Sequence, residues 1–353
     1  MLSLPIIDIK FKQLANTLVK RSERAIACLI INDEKQTEKL IKYKSLKELD
    51  KDKSKYTDEN LQDIKDCMEY GVAEMYVVNA DTVEAGLDLI EENIKTCWIA
   101  SNVDNSSSEI INFIKEHEVK GKSYKAVVYK GQNIDNKHVV NFVNEKVIFN
   151  DKRGETTGDK YIPSLLGLLA SSNVERGVTY RTCNKLIRCT EIADVDAELK
   201  KGSFVLINDD NKVKVGLGIN TLVTFNESNS EDMRHIDIVE AMDLIRDDIT
   251  NIFKEEYIGK VKNKLDNQIL FISSINTYLD VLAKQDILDS DYKNYADINV
   301  TAQRQAWLGV KPESESWSDE EVKVKTFKRN VYLLGDIKIL GAMENLMFDI
   351  TMF

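Results

Sequence analysis

The chain has 353 residues, 43% hydrophobic and 30% charged, an ordinary globular balance with enough material for two or three domains. A formal net charge of −11 argues against a protein that grips duplex nucleic acid, because phosphate contacts need a broad basic footprint. Three prolines leave no proline-rich linker, and the longest apolar runs are far too short to cross a bilayer.

Near the start, Ile7, Ile9 and Phe11 alternate with Asp8, Lys10 and Lys12, the period-two pattern of a strand. A polar, basic joint follows at residues 20–24, with Arg21 and Arg24. Residues 25–31 read as a buried strand. Thr57 is placed to cap a helix that carries Leu61, Ile64, Cys67 and Met68 on one face and closes at Gly71. Residues 75–78 form the next strand, and Asp81 or Thr82 caps a helix with Val83, Leu87, Ile90 and Ile94. A strand at 97–100, a helix at 106–116 and a strand at 126–129 complete the series. Strand–helix alternation of this kind predicts an α/β domain with a mostly parallel sheet.

Residues 139–149 are apolar and strand-like, and Pro163 suits the first turn of a helix over 161–170. Residues 204–207 and 212–215 flank Asn208-Asp209-Asp210-Asn211, which is hairpin chemistry. From Ile236 a helical period holds through Val239, Met242, Ile245, Ile249, Ile252 and Phe253. Further helices are expected at 262–283 and 301–308. An acidic stretch at 313–321 leads to strands at 322–334 and 337–340. At the end, Leu346, Phe348, Ile350 and Met352 alternate with Met347, Asp349, Thr351 and Phe353, a terminal strand.

Familiar catalytic and ligand motifs fail. Gly216-Leu217-Gly218 lacks the third glycine and the following helix of a dinucleotide loop, and residues 154–160 have the wrong spacing for a phosphate loop. His117, His138 and His235 belong to no metal-spacing pattern and read as surface or helix-end residues. Cys28, Cys67, Cys97, Cys183 and Cys189 are scattered and odd in number, as expected of reduced core thiols. Asp247-Asp248 and Glu255-Glu256 read as solvated helix faces. An α/β enzyme with a helical cap, using the 154–181 region, is the rival these residues leave open, with no cofactor indicated.

The order of segments resembles the tail sheath proteins of contractile phage tails and phage-tail-like bacteriocins, especially the short type found in defective prophages of Gram-positive bacteria. The resemblance rests on Phe11-Lys12-Gln13-Leu14 with Arg21-Ser22-Glu23-Arg24, Tyr161-Ile162-Pro163, and Gly218-Ile219-Asn220-Thr221-Leu222. It continues through residues 236–245, Tyr257-Ile258-Gly259-Lys260 with Asn263, Ala302-Gln303-Arg304-Gln305, and 337–353 with Ala342-Met343-Glu344.

The resemblance implies an N-terminal exchange arm (1–20), an outer α/β sheath domain (21–235), an inner α+β domain (236–335) completed by strands exchanged between subunits, and a C-terminal exchange arm (336–353). It implies exchange through Ile7, Ile9, Phe11, Leu346, Phe348, Ile350 and Met352, with joints at Arg21, Arg24 and Gly341. Gln303, Arg304 and Gln305 would face an inner tube. Implied partners are further copies of the chain, the inner tail tube protein, and baseplate and tail terminator proteins. Nucleic acid, membrane contact and enzymatic activity are not implied. A related tail or baseplate structural protein is the second rival. The protein would be made in the bacterial cytoplasm without a signal peptide and released in particles by lysis. The residues alone favour terminal strands that pair with each other or within their own domain. Only the resemblance favours exchange.

Overall fold

The computed structural model describes residues 25–172 and 177–352. They divide into two compact units, one of residues 25–243 with 341–352 and one of residues 244–340. The expected N-terminal strand and joint (Ile7, Ile9, Phe11, Arg21, Arg24) lie outside the described residues.

The larger unit is built on a seven-stranded sheet in the order β10-β6-β5-β4-β1-β3-β2. Its strands are β1 (Ile26–Ile31), β2 (Leu40–Tyr43), β3 (Glu74–Asn79), β4 (Trp98–Ser101), β5 (Lys125–Tyr129), β6 (Val139–Phe142) and β10 (Ser203–Phe204). All pair in parallel except β2, which runs antiparallel to β3 at the edge. Period-two alternation sends Leu29 and Ile31 into one core and Cys28 and Ile30 into another. Both faces are covered, so β1 reads as an unbroken apolar run.

Helices α1 (Leu46–Asp52), α2 (Asp58–Met68) and α5 (Ile162–Ala170) contribute to the first core. Helices α3 (Val83–Asn93) and α4 (Ser107–Val119) contribute to the second, while α6 (Val195–Lys200) is a short surface turn. The expected starts hold. Thr82 accepts a hydrogen bond from the Ala85 N–H, and Thr57 occupies the N-cap of α2, although its hydroxyl donates to Asp33 instead. Gly71, at φ 83°, ends α2 in the left-handed region. All five cysteines are buried and free.

Every residue of α5 is buried, as an apolar helix inside a core must be. Its packing on α2 depends on Gly167, where a Cβ would fall 2.1 Å from the Cys67 carbonyl oxygen. That obstacle is backbone, so the helices themselves would have to separate. Gly167→Ala is expected to destabilise the chain by about 1–3 kcal/mol or more, read as a lowered urea midpoint. An unchanged midpoint would mean that the helices part freely.

The single strand expected over 139–149 is two, β6 and β7 (Lys146–Phe149), and the break has a side-chain cause. Asn144 is buried and mimics a strand: its amide donates to the Thr190 and Leu206 carbonyls at 3.0 and 2.9 Å, and its oxygen accepts from the Leu206 N–H at 2.8 Å. Strand β7 turns into a second sheet, ordered β8 (Glu155–Thr157), β7, β9 (Leu186–Cys189). The expected strand at 204–207 also splits. Phe204 joins β6, whereas β11 (Leu206–Asp209) pairs with β12 (Lys212–Val215) through Asp210 and Asn211. Those turn residues have φ of 46° and 59°, the type I′ signature.

Helix α7 (Ile236–Ile252) contains the division between the units, and its first two turns belong to the α/β unit. There the Lys125 ammonium lies 3.1 Å from Glu240 and 3.0 Å from Asp243, and the Trp98 indole N–H donates to Glu240 at 2.9 Å.

The smaller unit holds the rest of α7, then α8 (Leu265–Ala283), β13 (Tyr295–Ile298), α9 (Val300–Leu308), α10 (Asp319–Val324) and β14 (Leu333–Asp336). The strand expected over 322–334 is corrected here. Ser318 and Glu321 form a reciprocal capping box that starts α10, and β14 begins only at Leu333. Residues 337–340 make one bridge, Leu288 to Ile339, rather than a strand. Asp248, expected on a solvated face, is buried and accepts from the Tyr278 hydroxyl at 2.7 Å.

Candidate functional site

The C-terminal residues alternate in sequence, yet residues 341–352 form no strand in the described chain. A strand is stable only beside another strand's edge, and among the described residues none pairs with this segment. Gly341 opens the segment. Its base is anchored on the α/β unit: the Ala342 N–H donates to Asp237 at 3.1 Å, and the Thr179 hydroxyl donates to Glu344 at 2.6 Å. Beyond Asn345 the side chains are in solvent, with Leu346 89%, Phe348 74%, Ile350 69% and Met352 90% exposed. Met347 is exposed as well. Contiguous apolar exposure of this kind marks an interaction segment.

In the smaller unit, β13 and β14 form a sheet of two strands, paired Tyr295 to Asp336, Ala296 to Gly335, Asp297 to Leu334 and Ile298 to Leu333. Ala296 exchanges hydrogen bonds with the side chain of Asn276 on α8, at 2.7 and 3.1 Å. Ala296 and Gly335 are therefore a pair whose backbone groups point away from each other. Asn276 covers that outer edge of β13. On β14 the outward groups of Leu333 and Gly335 meet no side-chain cap among the described residues. The β14 edge is thus geometrically able to accept another strand.

The three residues assigned to a tube-facing side of α9 differ in exposure. Gln303 is buried, its amide donating to the Val322 carbonyl at 2.6 Å. Arg304 reaches the Trp317 carbonyl at 2.5 Å and Asp319 at 2.5 Å, bracing the loop before α10. Gln305 is exposed, as is Lys311 beyond the helix. The helical period of a nine-residue segment does not reveal that the acidic loop folds back over it.

In the 154–181 region, Lys160 lies 2.9 Å from Glu59, and Arg181 donates to the Leu168 carbonyl at 2.9 Å. A cleft of about 720 Å³ lies at the carboxyl ends of β4 and β5, lined by Asp63, Asn102 and Lys130 and, from the 154–181 region, by Asp159, Lys160 and Pro163 among others. Burial raises the Asp63 carboxyl to about 6, and Asn102 donates to it at 2.8 Å. Among the described residues, no group of three His, Cys, Asp or Glu side chains is arranged to hold a metal. No helix there is long and apolar enough to cross a membrane. Gly218 lies in a loop after β12, as the spacing suggested, with no helix following it. His138 corrects the expectation of a surface or helix-end residue, being buried against carboxylates from distant elements.

The family model for the phage tail sheath C-terminal domain matches residues 228–353. The tail sheath protein of Clostridium phage phiCD119 is 26% identical over 358 residues, covering 98% of each chain. Among solved structures, the sheath tail protein of Desulfitobacterium hafniense is similar in fold, with a TM-score of 0.70 at 15% identity over 84% of this chain and 93% of that one. The helical sheath of the anti-feeding prophage, in its contracted state, gives 0.69 at 14% identity over 99% of each.

Proposed function

We propose that the chain is a tail sheath protein that polymerises into a helical sheath around an inner tube and contracts to drive that tube through a target envelope; the match of residues 228–353 to the sheath C-terminal domain and the similarity of fold support this reading. The carrying observation is the exposed apolar C-terminal segment in a chain whose β14 edge has no side-chain cap among the described residues. Donor and acceptor on one chain, engaging different copies head to tail, generate an open helical array rather than a closed ring. The donor is Leu346, Phe348, Ile350 and Met352, redirected at Gly341, with the Ile7, Ile9 and Phe11 segment and its Arg21 and Arg24 joint as a second arm. Subunits move outward and rotate nearly as rigid bodies while exchanged strands keep the lattice connected. Energy is stored in the extended lattice, so contraction needs no nucleotide.

Contact with the tube falls to Gln305 and Lys311, while Gln303 and Arg304 hold the helix in place. Baseplate and terminator proteins would cap the cylinder's ends. Negative-stain microscopy of the purified chain, alone and with its tube protein, is expected to reveal striated cylinders. A chain that stays monomeric in both conditions, and that turns over a small molecule, would instead support the enzyme reading.

A further inference from the structure

His138 opens the approach to β6 and is buried, with both ring nitrogens facing carboxylates. Its Nε2 lies 3.2 Å from Asp243 Oδ1 on α7, and its Nδ1 lies 3.6 Å from Glu118 Oε1 at the end of α4. A neutral imidazole has one donor and one acceptor nitrogen, whereas ionised carboxylates only accept. Either neutral tautomer would therefore point a lone pair at a carboxylate oxygen. Only the imidazolium offers a donor to both.

Other charged neighbours offer both carboxylates further donors. Lys125 on β5 lies 3.0 Å from Asp243 Oδ2 and 3.1 Å from Glu240 on α7. Lys137 lies 2.7 Å from Glu118 Oε1, and the Asn136 amide donates to Glu118 Oε2 at 2.6 Å.

We propose that His138 is a proton-dependent clamp, whose imidazolium fastens the first two turns of α7 to the end of α4 and whose deprotonation loosens that attachment. The same turns carry Asp237, which accepts from the Ala342 N–H at the base of the C-terminal segment. Burial alone pushes the imidazole pKa down, but Asp243 and Glu118 outweigh it and hold the value above the ordinary one. Burial likewise pushes Glu118 up, yet His138 and Lys137 bring it to about 2.

The signs follow from linkage. The His138 contribution is fully present below the unfolded value of about 6.5 and is lost as pH rises through the raised folded value. The Glu118 contribution is present above its ordinary range and is lost as pH falls towards about 2. The attachment therefore weakens on the alkaline side first.

The test is ring-nitrogen NMR of the ¹⁵N-histidine-labelled full chain, with His138 assigned by its absence in His138→Gln. Both ring nitrogens are expected in the protonated range at about pH 6, with a midpoint above that of a free imidazole. Glu118→Gln should lower that midpoint. In thermal scans the wild type should lose stability as pH rises above about 6.5 and through the raised folded value, and His138→Gln should lack that loss. A ring that is neutral at about pH 6, or parallel melting profiles for wild type and variant, overturns the clamp. Should His138→Gln not fold, His138 is assigned by elimination from spectra of His117→Gln and His235→Gln, and its titration in the wild type decides.

Discussion

A chain ended after Asn345 is expected to fold normally and fail to assemble. The truncation keeps the anchors at Asp237 and Thr179 and removes only residues 346–353, of which the described ones are all exposed. Loss of exposed side chains should alter monomer stability by no more than about 0.5 kcal/mol. The effect on assembly is of another order. An arm that forms about five ladder bonds and buries three apolar side chains gains roughly 7–16 kcal/mol gross. Ordering about eight residues costs a similar ~8–16 kcal/mol. One arm is therefore marginal, and a lattice succeeds because each engaged arm raises the effective concentration for the next. Removing one arm from every subunit abolishes that cooperation. Sedimentation and negative stain should find dispersed subunits with an unchanged melting temperature. Intact contractile cylinders from the shortened chain would remove the basis of strand exchange.

Asp66→Ala is expected to cost about 3–5 kcal/mol, the largest effect of any single side chain considered. Asp66 on α2 is 1% exposed and receives two cations, Arg153 at 2.5 Å and Lys185 at 2.7 Å, with the Gln62 amide at 2.8 Å. Arg153 comes from the turn between β7 and β8 and stacks 3.6 Å from the centre of the Phe149 ring, while Lys185 precedes β9. The carboxylate thus joins a helix of the main sheet to the smaller three-stranded sheet. Alanine removes the buried acceptor that Arg153 and Lys185 share and leaves them only the more exposed Asp151 and Glu69, and burial limits the screening that salt can provide. By the usual scaling the melting temperature should fall by about 6 °C or more. Asp50→Ala provides the contrast. Its contact with Lys65 is 3.8 Å at an exposed site, and no measurable change is expected. Equal effects of the two variants would mean that the Asp66 cluster adds nothing beyond a surface pair.

Local patterns determined much of the α/β unit. The strands at 26–31, 74–79, 98–101 and 125–129, and the helices between them, follow from apolar periodicity, Thr57 and Thr82 at helix starts, and Gly71 at a helix end. The exposed alternation from Leu346 onward was equally legible, because a period of two persists in sequence whether or not a partner edge is present. The tertiary structure decided the rest. A capping box made a helix where β-branched residues suggested a strand, and Asn144 broke an apolar run by substituting its side chain for a ladder. His138 and Asp66 acquired their roles from groups 105 and 119 residues away, Asp243 and Lys185. Gln303 and Arg304 were turned inward by a later loop. Periodicity and capping are properties of a few consecutive residues, whereas burial of a charge depends on which distant element folds over it, and that is settled only when the whole chain packs.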